Sequence, residues 1–264
     1  MPAGKRPASR KRWSTTERDA RAEHGPLIAG VDEVGRGPLA GPVVACAVIM
    51  PPDARAIGGV DDSKLLTPAE RTRLAVKIRQ RAIAIGVGAA SVREIDRVNI
   101  YHATVLAMRR ALGRLGATPS HVLVDGKPIR SLRVTHTAVV CGDRKCYSIA
   151  CASIIAKVTR DRLMLALARR YPQYLWERNV GYGTPEHWTS VNEHGLSPHH
   201  RRSFIHPRQL VLDLDMPADL VDDDLMPSLE ELVNDAMLPI PIVMRGVIPF
   251  ETGETSDSIS PEAQ

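Results

Sequence analysis

The chain has few aromatic residues. Only 4% of its 264 residues are Phe, Trp or Tyr, although 44% are hydrophobic. Its core must therefore be built mainly from Ala, Val, Leu and Ile. The shortage also argues against a protein that reads single-stranded bases, because base stacking needs several exposed rings. Any nucleic-acid partner would be recognised through its backbone and shape.

Cysteines and long apolar runs are also scarce. The four cysteines contain no C-x-x-C pair, so a zinc site is not expected, and their apolar neighbours predict buried thiols in a reducing compartment. No apolar stretch has the length and lack of charge of a membrane span, and no signal peptide precedes the first apolar run. We therefore expect a cytoplasmic protein with no membrane partner.

Charge is distributed unevenly along the chain. Lys and Arg outnumber acids by 7 to 2 in residues 1–22 and by 27 to 15 in residues 23–208, whereas acids outnumber them by 13 to 1 in residues 209–264. This pattern predicts a basic flexible arm (1–22), a basic domain (23–208) and an acidic, mobile extension (209–264). The basic domain suits a polyanion such as nucleic acid. On charge alone, a solvated basic surface without a partner is an equal alternative.

The least random stretch is residues 27–50, LIAGVDEVGRGPLAGPVVACAVIM. Two apolar runs predict a pair of neighbouring central strands, and the adjacent acids Asp32 and Glu33 lie at the end of the first. Glycine lets main chain approach a ligand closely, so the connection can offer N–H groups to a substrate. The alternative is an ordinary hairpin with a solvated Asp-Glu pair. The connection begins with Gly35, Arg36 and Gly37.

Two later apolar runs also end in an acid. Asp125 follows the predicted strand at 121–124, and Asp143 follows the predicted strand at 134–140. A single Asp in such a place is usually a turn or cap residue. Neighbouring strands that each end in a carboxylate would bring their acids together at the edge of one sheet. Four acids at three such ends of a basic domain favour a shared site.

Carboxylates that meet in a basic groove favour Mg²⁺ or Mn²⁺, because hard cations take oxygen ligands and keep waters that a phosphate can replace. Two such ions about 4 Å apart can activate a water and neutralise the leaving oxygen of a phosphodiester. The chemistry needs no nucleophilic side chain, and the chain has no G-x-S-x-G motif.

Other segments supply further candidates and elements. Lys64 could contact a phosphate, but a plain surface Lys is the alternative; Tyr182, in a Gly-rich loop, could pack on a sugar or inside the protein. His199 to Arg202 are expected to form a phosphate-facing surface rather than a metal site.

Ser153 and Lys157 share one face of a helix. Helices are predicted at 68–81, 93–96, 99–115 and 147–171, the first opened by a Thr67–Glu70 capping box, and a third strand at 83–91.

These motifs resemble the type 2 ribonuclease H (ribonuclease HII) family from about Leu27 to Phe204. The resemblance implies an α/β fold, a ribonuclease H-like mixed five-stranded sheet flanked by helices, with a C-terminal helical segment. It also implies a metal-dependent endonuclease that hydrolyses the RNA strand of RNA–DNA hybrids and cuts at single ribonucleotides in duplex DNA, leaving 5′-phosphate and 3′-hydroxyl ends. The chain departs from the family at Leu65, commonly a second Lys, and at Gly183, usually Pro.

The resemblance also implies roles for individual residues. The four acids match the family's catalytic and metal-binding carboxylates for two Mg²⁺ or Mn²⁺ ions, the loop backbone and Tyr182 would sense the ribose 2′-hydroxyl, and the remaining residues would line the substrate groove. Two alternatives stay open: another metal-dependent nuclease of this architecture, such as a DNA resolvase, and a non-catalytic hybrid-binding protein. The matched residues are Asp32, Glu33, Asp125 and Asp143, then Gly35, Arg36, Gly37, Lys64, Ser153, Lys157 and Tyr182.

Overall fold

A computed structural model describes residues 14–205 and contains one mixed sheet of five strands. The strand order is β3-β2-β1-β4-β5, in which β1, β2 and β3 are antiparallel neighbours while β4 and β5 run parallel to β1. This confirms the expected fold, with β1 and β2 as adjacent central strands. The strands are β1 (Ile28–Val34), β2 (Val43–Ile49), β3 (Ala84–Ala90), β4 (His121–Asp125) and β5 (His136–Val139).

Helices cover both faces of the sheet. The α-helices of the described residues are α1 (Thr15–His24), α2 (Pro68–Arg81), α3 (Val92–Gly113), α4 (Gly142–Lys145), α5 (Tyr147–Arg170), α6 (Trp176–Asn179) and α7 (Pro185–His194). The helices α2 and α5 lie on one face and α3 on the other. The capping box predicted for α2 is present: Thr67 accepts from the backbone N–H of Glu70. The two helices predicted at 93–96 and 99–115 join at a break, where Asn99 has φ 64° and its side chain caps the second segment.

The core consists of two layers separated by β2, whose residues are buried without exception. Val44, Cys46 and Val48 pack with α2 and α5, whereas Val43 and Ala47 face the opposite way and pack with α3. Successive side chains of a strand point to opposite faces, so an uninterrupted apolar run is what a strand covered on both faces requires. This sandwich holds β1 at the centre and fixes the edge where its acids lie.

The prediction of a flexible arm at 1–22 is wrong for its last residues, because α1 begins at Thr15 and packs on the domain. Ser14 and Glu17 form a capping box. The fully buried Glu17 carboxylate also accepts from the N–H groups of Tyr147 and Ser148, at 3.1 and 2.7 Å, at the start of α5. An anion there is stabilised by the helix dipole. Residues 1–13 and the predicted extension at 209–264 lie outside the described residues.

The prediction that the cysteines are buried is confirmed for three of the four. Cys46, Cys146 and Cys151 are buried, whereas Cys141 is exposed in the turn before α4. In residues 14–205, no helix combines the length and hydrophobicity that crossing a membrane would need.

Candidate active site

Asp32 and Asp125 lie side by side at one edge of the sheet. The register pairs Val31 of β1 with Val124 of the parallel strand β4, so the next residue along each strand is one of these acids. Asp32 is buried, and its Oδ1 accepts from the N–H of Glu33 at 2.7 Å. Burial raises the pKa of Asp32 well above its ordinary value, and the charges of Glu33 and Asp125 raise it further.

Asp143 reaches the same edge through α4 instead of the end of β5. Asp125 Oδ1 accepts from the N–H of Gly142 at 2.6 Å, and Asp143 is the next residue. Burial raises the pKa of Asp143, and the charges of Asp62 and Asp125 add to the effect. Burial also raises the pKa of Glu33, against the lowering effect of Arg36, whose guanidinium lies 3.2 Å from the Glu33 carboxylate. The four predicted acids therefore form one electrostatically coupled cluster.

The cluster fits hard cations that complete their coordination with other ligands. Among residues 14–205, no group of three or more His, Cys, Asp or Glu side chains is arranged to hold a metal ion. The donors are nevertheless all carboxylate oxygens, and each of Asp32, Glu33 and Asp143 has its pKa raised by at least one neighbouring acid. Mg²⁺ is commonly held by only one or two carboxylates together with waters and substrate phosphates. Pairs within this cluster meet that requirement.

The loop between β1 and β2, residues 35–42, lies beside Tyr182 and is here called the glycine loop. A Cβ placed on Gly37 would lie 3.9 Å from Cε1 of Tyr182, whose side chain is 45% exposed. A Cβ placed on Gly35, which has φ +90°, would lie 2.2 Å from Nε of Arg160. Gly35 is therefore a structural requirement, whereas Gly37 leaves open surface next to an exposed ring.

The expected phosphate-facing surface at His199 to Arg202 is wrong for two of its members. Arg201 is completely buried, and its guanidinium donates to carbonyl oxygens of the glycine loop. His200 is also buried, with Nε2 3.0 Å from Nε2 of His187, and burial lowers the pKa of His200 to about 3. The sequence gives no sign that His200 and Arg201 are buried, because a polar residue has the same neighbours in the chain whether it is buried or exposed.

Ser153 and Lys157 both have partners within the chain. The Ser153 hydroxyl lies 2.9 Å from that of Ser63 and hydrogen-bonds to Asp32, which lowers the pKa of that acid against its burial. Lys157 Nζ donates to Asp161 at 2.7 Å. Ser153 is thus next to the acid cluster, whereas the charge of Lys157 is already paired.

Lys64 is exposed, and the acid that positions it was missed by sequence reasoning. Asp62 is 1% exposed and accepts from the backbone N–H of Lys64 at 3.0 Å and from Nε of Arg144 at 3.1 Å. Burial by itself would raise the pKa of Asp62, but the hydrogen bonds from Lys64 and Arg144 lower it below its ordinary value. Asp62 therefore links the segment that carries Lys64 to α4, which carries Asp143. Residues 62–64 resemble the Asp-Ser-Lys motif of the ribonuclease HII family, and this resemblance was the only signal in the sequence.

Comparisons with known proteins point to one family. A model of the family described as Ribonuclease HII matches residues 29–207. The chain is 61% identical over 179 residues to a ribonuclease HII of Thermosynechococcus vestitus, a match that covers 67% of this chain and 83% of that protein. It is 54% identical over 208 residues to a ribonuclease HII of Granulibacter bethesdensis, covering 77% and 95%.

The fold comparison gives the same family. The crystal structure of ribonuclease H2 from Pyrococcus horikoshii OT3 superposes with a TM-score of 0.59 at 30% identity and covers 67% of this chain and 92% of that one. The family match includes every acid of the cluster, the glycine loop and Tyr182. The chain therefore belongs to the ribonuclease HII family and is a ribonuclease H endonuclease that acts on RNA–DNA hybrids.

Proposed function

We propose that this enzyme also cuts at single ribonucleotides embedded in duplex DNA, leaving 5′-phosphate and 3′-hydroxyl ends, with two Mg²⁺ or Mn²⁺ ions held by Asp32, Glu33, Asp125 and Asp143. The observation that carries the proposal is the position of the glycine loop. It continues directly from the strand that carries two of the acids, and it lies beside the exposed ring of Tyr182.

The backbone of the glycine loop suits a ribose hydroxyl. Arg36 and Gly37 are exposed, and their N–H groups donate to no residue within 14–205. A 2′-hydroxyl can accept from such a donor, whereas a deoxyribose has no oxygen at that place. The missing side chain of Gly37 lets the sugar approach the backbone, and the Tyr182 ring offers an apolar face beside it. Recognition of one ribonucleotide therefore needs only main-chain donors and one ring.

The acids would hold the reacting phosphate at a fixed position beside this loop. When bound, divalent ions would supply an activated water and neutralise charge on the leaving oxygen. Asp32 and Asp125 lie on paired strands, so their carboxylates have little freedom to move apart. Arg36 forms an ion pair with Glu33 and thereby ties the glycine loop to the cluster. Sugar recognition and hydrolysis are thus coupled by a short, rigid stretch of chain.

The test uses three duplexes of one sequence: one with a single ribonucleotide, one all-deoxy and one with a 2′-O-methyl group at the same place. We expect cleavage of the first alone, dependent on Mg²⁺ or Mn²⁺, with a ligatable 5′-phosphate on the downstream fragment. Asp125→Asn should fold normally and lose nearly all cleavage, because an amide keeps the shape but weakens cation binding.

Each outcome has a defined meaning. Cleavage of the all-deoxy duplex would favour a nuclease that ignores the 2′-hydroxyl. Binding without cleavage, in the presence of either metal, would favour a hybrid-binding protein. Activity of Asp125→Asn within a few-fold of the parent would overturn the assignment of the acids.

A further inference from the structure

Two arginines are completely buried next to the glycine loop. Arg160 and Arg201 are both 0% exposed, and neither forms an ion pair with an acid of residues 14–205. A buried guanidinium is costly unless hydrogen bonds replace its hydration. Here every replacement is a backbone carbonyl oxygen, and burial lowers the pKa of Arg160 to about 10 and that of Arg201 to about 9.

Arg201 holds the first half and the end of the glycine loop together. Its Nη2 donates to the carbonyl oxygen of Gly35 at 2.5 Å, its Nη1 to that of Arg36 at 3.0 Å and its Nε to that of Gly41 at 3.0 Å. The backbone N–H of Arg201 also donates to Leu39 at 2.8 Å. One side chain thus binds the carbonyls of two adjacent residues at the start of the loop and that of one residue near its end.

Arg160 joins the glycine loop to the segment before Tyr182. Its Nε donates to the carbonyl oxygen of Pro42 at 3.0 Å and its Nη2 to that of Ala40 at 3.1 Å, while its Nη1 donates to that of Val180 at 3.0 Å. The planar guanidinium presents its donors in a fixed fork, which fixes the relative position of the carbonyls it contacts. The loop and the Tyr182 segment are therefore held in one arrangement.

These contacts also set the direction of the free N–H groups. In a trans peptide, the C=O of one residue and the N–H of the next point in opposite directions. The carbonyls of Gly35 and Arg36 point at Arg201. The N–H groups of Arg36 and Gly37, which belong to the same two peptides, therefore point away from Arg201.

We propose that Arg160 and Arg201 are positioning residues for ribose recognition. They bind carbonyl oxygens of the glycine loop and of Val180. These contacts hold the N–H groups of Arg36 and Gly37, together with the nearby Tyr182 ring, in the arrangement that binds a 2′-hydroxyl. This inference rests on the proposed function of the loop. Neither arginine touches the substrate, so each acts only through the backbone that it holds.

The competing explanation is that both arginines only stabilise the fold. The two explanations differ in one measurable ratio, the affinity for a duplex with a single ribonucleotide divided by the affinity for the all-deoxy duplex of the same sequence. Partial unfolding lowers both affinities equally and leaves the ratio unchanged. A displaced loop lowers only the first, because binding to all-deoxy duplex depends on phosphate contacts.

The ratio is measured with the full chain in the Asp125→Asn background, with Mg²⁺ present, for Arg160→Lys and Arg201→Lys separately. Lysine keeps the charge but has one nitrogen, which cannot span three carbonyls. We expect the preference for the ribonucleotide to fall about tenfold, equivalent to about 1.4 kcal/mol, with affinity for all-deoxy duplex changed by less than about twofold. Arg109→Lys is the matched control, since Arg109 also donates to backbone carbonyls, those of Ser131 and Leu132.

The possible results distinguish a failure of this inference from a failure of the proposed function. No ribose preference in the Asp125→Asn parent would overturn the inference, whereas the proposed function fails only if the enzyme with Asp125 intact does not cleave the single-ribonucleotide duplex. A preference in the parent that both lysine variants retain would overturn only the role of the arginines, as would an equal loss in Arg109→Lys. Circular dichroism identifies any variant that fails to fold, and the other arginine, tested separately, then decides the question.

Discussion

Alanine substitutions at Gly35 and Gly37 should differ strongly in their effect on stability, although only one residue separates the two glycines. Gly35 has φ +90° and no room for a Cβ, which would lie 2.2 Å from Nε of Arg160. At Gly37 a Cβ would meet only Tyr182, at an ordinary contact distance of 3.9 Å. We therefore expect Gly35→Ala to destabilise the domain and Gly37→Ala to leave its stability nearly unchanged.

The size of the effect follows from two contributions. An alanine with positive φ costs about 1–2 kcal/mol. Displacing Arg160 removes at least one hydrogen bond of a buried charged group, worth about 2–3 kcal/mol. The total of about 3–5 kcal/mol corresponds to a fall in melting temperature of about 6–20 °C for a domain of this size. The change for Gly37→Ala should stay within about 1 kcal/mol.

Thermal unfolding and cleavage of the single-ribonucleotide duplex are measured on both variants. Gly37→Ala should melt like the parent yet cut at least about tenfold more slowly, because its methyl group occupies the surface that the sugar approaches. Its affinity for all-deoxy duplex should not change. Equal melting temperatures for the two variants would refute the packing argument, and full activity of Gly37→Ala would refute close approach of the sugar to the loop.

Four further predictions concern other parts of the chain. Tyr182→Ala should reduce cleavage at a lone ribonucleotide much more than duplex binding, which rests on phosphates; equal losses in cleavage and filter-binding assays would make Tyr182 a packing residue. Glu17→Ala should lower the free energy of unfolding by about 3–5 kcal/mol, because it leaves buried N–H groups of α5 unpaired; a urea titration no different from that of the exposed control Glu23→Ala would contradict this. Burial holds the pKa of His200 at about 3, far below its value in the unfolded chain. The unfolded state therefore binds more protons below about pH 6.5, and the free energy of unfolding should fall by about 1.4 kcal/mol for each unit that the pH drops. If the free energy of unfolding depends on pH equally in His200→Asn and the parent, another group is responsible. If the acidic segment competes for the basic domain, truncation after Arg208 should tighten hybrid binding at low salt and not at high salt; unchanged affinity at low salt would rule the competition out and favour a segment that never enters the groove.

The sheet was largely predictable because its signals are local. An apolar run such as Val43–Ile49 must be covered on both faces, and the structure covers it. The strand predicted at 134–140 is shorter in the structure, His136–Val139, because pairing with β4 defines its ends. Strand ends depend on hydrogen-bond partners elsewhere in the chain, which hydrophobicity does not reveal.

The first helix shows why a local signal can still be misread. Ser14 and Glu17 have the spacing of a capping box, but the basic composition of residues 1–22 favoured a flexible arm. A short amphipathic segment is only marginally helical alone and depends on tertiary packing. The contact of Glu17 with the start of α5 supplies that packing, and no pattern within the arm could show it.

By itself, the sequence determined the order of the elements, the acids at the ends of apolar runs and the glycine loop that follows Asp32 and Glu33, because each depends on residues that are neighbours in the chain. Only the tertiary structure decided which polar residues are buried and what they hold. Arg160 and Arg201 look like ordinary surface cations in the sequence, yet both are buried against the backbone of residues 35–42. A guanidinium is stable there only because folding brings distant carbonyls together around it, and that convergence is a property of three-dimensional packing.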